Sequence, residues 1–179
     1  MADPLEGHER LAVEPTVAPP LAIDALFRAH ASYVAAIGLR LLGRRDEVDD
    51  LVQDVFLAAY RARDTLRTHP EVRGWLVVVA VRTARRRLRL RRLRGWLHLD
   101  DGANDAVVAP GPRPDDQALL AQVYAALDRM PVNHRLAWTL RHVNGEDLGA
   151  VATALACSLA TAKRWIAAAQ AQLASEVRS

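Results

Sequence analysis

Apolar residues recur at three- and four-residue steps along most of this chain, the period of helices that bury one face. The first such stretch begins near Leu21: Leu26, Phe27, His30, Tyr33, Val34, Ile37 and Leu41 line one side, and Gly43 is placed to end the helix. His30 lies on that stripe with no second ligand one turn away, so it reads as a core residue. A second helix is expected from Asp46 to Arg63, with Val48, Leu51, Val52, Val55 and Ala59 inward and Asp46 as its cap. Its other side carries Asp50, Gln53, Asp54 and Leu57, which fits either a solvated face or a docking surface for a basic protein. A short loop, Asp64 to Pro70, follows.

From Glu71 the pattern is double. Trp75 to Val81 is β-branched enough for a buried strand, yet Val72, Trp75, Leu76, Val79 and Thr83 keep helical spacing into Arg82–Arg94 without a turn signal. One long helix is expected, because a lone strand among helices would leave its edges unpaired. Gly95 to Asp116 has no 3.6 period and holds Gly102, Pro110, Gly111, Pro112 and Pro114 among acids, which marks a linker. Helical stripes resume with Leu119, Leu120, Val123, Leu127 and Met130, break at Pro131, and continue through Leu136, Leu140 and Val143 to Asn144-Gly145. Two last helices are expected over Asp147–Leu155 and Leu159–Leu173. The expected fold is all-α: helical domains at 21–95 and 117–179 joined by a flexible acidic linker at 96–116, the C-terminal domain a helix-turn-helix. Residues 1–20, with Pro4, Pro15, Pro19 and Pro20, read as a disordered arm.

Composition narrows the function classes. Cys157 is the only cysteine among 179 residues, which excludes an internal disulfide and a cysteine-based metal site. No apolar run approaches the ~20 residues of a membrane span and no signal pattern opens the chain, so membrane insertion is not expected and a cytoplasmic location is. Six scattered histidines, with no acid–base pair, phosphate-cradling loop or nucleophile arrangement, argue against an enzyme, a cofactor or a metal centre. The net charge of +3 hides a segregation: 1–20 sum to −3 and 95–116 to −4, while 82–94 hold eight arginines and no acid. Such a run attracts phosphates without specificity. It also fits a solvated basic helix or a polybasic membrane-surface patch, with Leu88, Leu90 and Leu93 between the charges. Arg67, Thr68, His69 and Trp75 just upstream add groups that hold unpaired bases.

The C-terminal pair has helix-turn-helix spacing. With Leu148 as position 1, Val151, Leu155 and Cys157 take apolar positions 4, 8 and 10, and small Ala152 takes position 5. Ala156 occupies the turn position where Gly is common. Ser158 is the expected cap, which brings Ala160, Thr161, Lys163 and Arg164 to the groove-entering end, while Ala162 and Trp165 or Ile166 turn inward. Helical hairpins with similar stripes also occur without DNA.

Taken in order, Leu26-Phe27, Asp50 to Leu57, Tyr60-Arg61, Gly74-Trp75-Leu76, Val79-Ala80 and the Arg-rich tail resemble the first conserved domain of sigma-70 family factors. Leu127 to Pro131 and Cys157 to Arg164 resemble the second, and the compact two-domain build is that of the extracytoplasmic-function (ECF) subfamily. The resemblance spans residues ~20–175. It implies that Asp50, Gln53, Asp54 and Leu57 dock on the clamp helices of core RNA polymerase. It implies that Arg67, Thr68, His69, Arg73, Trp75, Arg82, Arg85 and Arg86 engage the −10 element, the loop capturing flipped bases. Ser158, Ala160, Thr161, Lys163 and Arg164 would read the −35 element of promoter DNA, and the linker would thread the polymerase's RNA path. An anti-sigma protein is the implied inhibitor. The chain departs from the family at Arg82, where Asn is usual, at Ala162, where a bulkier Val is, and at Ala168 and Gln170, where basic residues are. The implied function is a sigma factor; the alternative is a sigma-like regulator that binds DNA or polymerase without initiating transcription.

Overall fold

The computed structural model of the chain describes residues 23–67, 69, 71–96 and 114–176, with side chains from 117 onward in the second stretch. The arm at 1–20, Thr68 and the linker residues 97–113 lie outside the described residues. All described elements are helical.

α1 spans Ile23–Leu42 and buries Leu26, Val34, Ile37, Leu41 and Leu42. It stops where Gly43 takes a left-handed φ of +69°, which its missing Cβ permits, and donates to the Leu39 carbonyl at 2.8 Å. α2 covers Val48–Arg61 with Val48, Leu51, Val55, Phe56 and Ala59 inward. Its cap position falls on Glu47, one residue past the expected Asp46, and no side chain closes it. The Glu47 carboxylate is drawn away by Arg91, whose Nη2 donates to it at 2.5 Å. Where a plain loop was expected, Arg63–Leu66 forms one helical turn, α3, because Leu66 tucks into the core at 1% exposure.

α4 runs unbroken over Val72–Trp96, so the strand alternative is not realised. Leu76, Val77, Ala80, Val81, Ala84 and Leu88 form its buried stripe, which shows that helical spacing outweighed β-branched propensity here. α5 spans Pro114–Arg129 and takes up the last three residues of the expected linker. α6, Val132–Trp138, follows Pro131 and continues as a π-helical turn over Thr139–Val143, ended by Gly145 at φ +76°. Leu119 and Val143, expected on inward stripes, are instead 50% and 43% exposed. α7 is Leu148–Leu155, capped by Asp147, which accepts from the Ala150 amide at 2.8 Å. α8 is Leu159–Glu176, and Ser158 accepts from the Thr161 amide at 3.2 Å, as its capping position requires.

The turn between α7 and α8 rests on Ala156 at φ 51° and ψ 54°. A Cβ in the left-handed region costs ~1–2 kcal/mol, part of which glycine returns as unfolded-chain entropy. Ala156→Gly should therefore stabilise the fold by about 0.5–1 kcal/mol, read as a higher urea midpoint at unchanged slope.

The halves on either side of the linker pack together. One apolar cluster runs from Ile37, Leu51 and Leu76 through Ala84 and Leu88 of α4 to Val132, Leu136, Val151 and Leu155. A smaller one joins α5 to α8 through Leu127, Met130, Ala169 and Leu173.

Candidate functional site

On α2, packing the stripe against α1 and α4 leaves Asp50, Gln53 and Leu57 exposed and Asp54 half-buried, as the periodicity predicts. Tyr60, unremarked as a surface group by the sequence, extends this face at 55% exposure, and Phe27 of α1 does so at 44%. Phe27 packs edge-on against Phe56 with centroids 4.8 Å apart. The acids are not free of partners. Asp54 accepts from Arg86 at 3.2 Å and from Arg87 at 2.7 Å, and Asp50 lies 3.5 Å from Arg87. Arg87 thus anchors the acidic face to α4, a role that no local pattern in its arginine run would single out.

The residues expected at the −10 element divide into two groups. His69, Arg73, Trp75 and Arg82 line one groove of about 940 Å³ at the start of α4. Within it, the His69 ring nitrogen Nδ1 accepts from the Glu71 amide at 3.1 Å, which fixes the turn into α4. The Arg73 guanidinium sits over the Tyr33 ring, 4.0 Å from its centroid. That stacking makes Tyr33 a member of the site that sequence reading left in the core; an aromatic at a stripe edge was the only signal. Trp75 is half-buried, one side against the core and the other on the groove. Arg67 is exposed but lies outside the groove lining.

Arg85 and Arg86 stand apart, where Arg82, Arg85, Arg86, Arg89 and Leu90 border a shallower hollow. Arg86 is exposed and turned towards Asp54. Arg85 is half-buried and donates to the Leu155 carbonyl at 2.8 Å. Burial, and then the charge of Arg89, lower its pKa. The far wall of the 940 Å³ groove comes from the other half of the chain: Glu146, Ala150, Thr153 and Ala154.

On α8, Ser158, Ala160, Lys163 and Arg164 are exposed and Thr161 partly so, all near the helix start. Ser158 and Thr161 hydroxyls pair at 2.9 Å, and Arg164 reaches Thr161 at 3.5 Å. Ala162 is fully buried, and Trp165 packs against the core beside His134. Gln170, where a basic residue is usual in the family resembled, accepts from the Trp138 indole at 2.7 Å. It therefore fastens α8 to α6. Cys157 is half-buried and burial raises its thiol pKa, consistent with packing.

The described residues hold no cluster suited to a metal ion, and none of their helices is long and apolar enough to cross a membrane. Residues 26–94 match the family model for Sigma-70 region 2. The ECF RNA polymerase sigma factor SigM of Mycobacterium tuberculosis is 30% identical over 154 residues, 86% of this chain and 76% of that protein. The ECF RNA polymerase sigma factor SigE of Mycolicibacterium smegmatis is 29% identical over 156 residues, 84% of this chain but 59% of that longer protein. In fold, the chain is similar to the sigma factor RpoE solved in complex with the anti-sigma factor NepR from Bartonella quintana. That match has a TM-score of 0.64 at 20% identity and covers 87% of this chain and 96% of that one.

Proposed function

The chain belongs to the ECF sigma factors of the sigma-70 family, and on that premise we propose that it binds core RNA polymerase, directs it to promoters and opens them. The observation that carries this reading is the division of labour along one chain. An outward acid-and-leucine face on α2, an aromatic and cationic groove at the start of α4, and a cationic helix start on α8 are three surfaces of different chemistry. A DNA reader alone needs no acidic face beside its arginines; a protein that bridges polymerase and DNA does.

In this proposal the N-terminal domain, residues 21–95, supplies docking and melting. Asp50, Gln53, Asp54 and Leu57 dock on polymerase, with Tyr60 widening the contact. His69, Arg73 and Trp75 hold unstacked bases of the −10 element, with Tyr33 backing Arg73. Arg82, Arg85 and Arg86 meet the flanking phosphates. The domain at 117–179 reads the −35 element through Ser158, Ala160, Thr161, Lys163 and Arg164, and the linker spans the distance between the two. An anti-sigma protein is the proposed inhibitor, and no catalytic residue is assigned. Loss of a cation at Ala168 and Gln170 reduces the phosphate contacts of α8 and shifts affinity towards the N-terminal domain. Co-elution tests this directly. The chain should run with core polymerase on gel filtration, and the complex should retain promoter fragments of its own genome that neither component retains alone. Stable core binding with no gain in DNA retention would favour the regulator reading instead.

A further inference from the structure

From Arg82 to Arg94, α4 carries eight arginines, and no acid lies anywhere along the helix. Those arginines do not share one environment. Arg87 turns to Asp54 and Arg91 to Glu47, with side chains only 19% and 13% exposed. Arg82, Arg86, Arg89 and Arg94 face solvent. The leucines among them divide in the same way. Leu88 belongs to the buried stripe, whereas Leu90 and Leu93 are 47% and 55% exposed. Trp96, at 85%, is the most exposed large apolar residue of those described.

Helical geometry gathers these groups on one side. At about 100° per residue, Leu93 falls opposite the middle of the stripe Leu76–Leu88, with Leu90 and Trp96 roughly 60° to either side. Arg82, Arg86 and Arg89 fall within the same arc. The outward face of α4 therefore changes along its length, from guanidinium groups to leucine and tryptophan flanked by Arg89 and Arg94. Packing within the fold does not account for that apolar end, because Leu93 points directly away from the core. Exposed apolar groups clustered among cations mark a surface that meets something.

The chemistry selects among occupants. A second copy of the chain, paired symmetrically, would set these arginines against their own equivalents. Nucleic acid matches the guanidinium groups but offers nothing to Leu90 and Leu93. An anionic bilayer surface answers both. Arginines pair with headgroup phosphates, the indole sits at the interface, and the leucines enter the acyl boundary. No described helix is long and apolar enough to cross a membrane, so such a chain lies on the surface rather than through it. In sequence, Leu97 and Leu99 follow Trp96 before the first acid at Asp100, which continues the apolar character.

We propose that the C-terminal end of α4 docks on an anionic lipid surface, with Leu90, Leu93 and Trp96 inserting and Arg89 and Arg94 holding headgroup phosphates. The site needs neither polymerase nor promoter DNA, so it stands or falls apart from the sigma-factor reading.

Co-sedimentation of the full-length chain with vesicles tests it. Vesicles of equimolar phosphatidylglycerol and phosphatidylcholine should pellet the chain, those of phosphatidylcholine alone should not, and added salt should weaken binding. On binding, tryptophan emission should move to the blue, and Trp96→Phe should remove most of that shift. Leu93→Ser with Trp96→Ser should lower the partition coefficient about tenfold or more, and Arg89→Gln with Arg94→Gln should lower it by a similar factor. All four side chains are exposed, so circular dichroism and duplex-DNA affinity should stay at wild-type values for the serine pair. A wild-type chain left in the supernatant by the anionic vesicles would overturn the proposal. So would a serine pair that binds them as tightly as wild type, since arginines alone would then explain adhesion. A serine pair that loses DNA affinity by the same factor would give the face to nucleic acid instead. A wild-type dimer that the serine pair dissolves would give it to a second copy.

Discussion

Asp50→Arg combined with Leu57→Arg should cut affinity for core RNA polymerase by at least about 100-fold while leaving the fold intact. The two sides of that expectation come from different environments. The Asp50 side chain is 69% exposed and its ion pair with Arg87 is 3.5 Å long. Surface pairs of this kind contribute less than ~1 kcal/mol, and Arg87 keeps its shorter contact with Asp54. Leu57 is 45% exposed and leaves no cavity when lengthened. At an interface the same positions count for more: an apolar anchor is worth ~2 kcal/mol or more, and a reversed charge adds repulsion. Together that exceeds the ~2.8 kcal/mol of two decades. Asp54 is the poorer choice for charge reversal, because it accepts from both Arg86 and Arg87 and an arginine there would face two others. Fluorescence anisotropy against core polymerase gives the number, with far-UV circular dichroism as the fold control. Wild-type affinity in the double variant would remove α2 from the docking surface.

The second large effect belongs to α8. Lys163→Glu with Arg164→Glu should lower affinity of the holoenzyme for a −35-bearing fragment by about 100-fold, at 1–3 kcal/mol per base-reading contact. The slope of log affinity against log salt should flatten by about one unit for each lost phosphate contact. Core binding should not change, since neither residue touches the docking face. Both are exposed, and Arg164 loses only a 3.5 Å contact with Thr161. The opposite split, with core binding lost and the DNA salt slope preserved, would mean that α8 faces polymerase rather than the groove.

How far the chain could be read without a structure depended on whether the relevant contact was local. The inward stripes of α1, Phe27 apart, and of α2 followed from period alone, because burying Val34, Ile37, Leu51 and Val55 needs no knowledge of the partner helix. That of α4 did not: of the expected Val72, Trp75, Leu76, Val79 and Thr83 only Leu76 is buried, and Val77, Ala80, Val81 and Ala84 take the inward positions, because α1, α2 and α7 all pack on this helix. The ends at Gly43, Asn144-Gly145 and Ser158 followed from short-range capping chemistry. Glu47 did not, because its carboxylate answers to Arg91, 44 residues away. Neither did the burial of Arg135, whose backbone acceptors are 93 and 94 residues away. An arginine on an apolar stripe was the available clue, and in a chain with so many arginines it did not stand out. Tyr33 joined the groove for a similar reason: its stacking partner Arg73 comes from another helix. The surfaces were legible in outline; the long-range ion pairs that link them were not.

Run-off transcription tests the central claim most directly. Core RNA polymerase supplied with this chain should give discrete transcripts from promoter fragments of its own genome that core alone does not give. Those transcripts should vanish with Asp50→Arg/Leu57→Arg. A stable complex of chain and core that yields no specific transcript from any fragment would contradict the account.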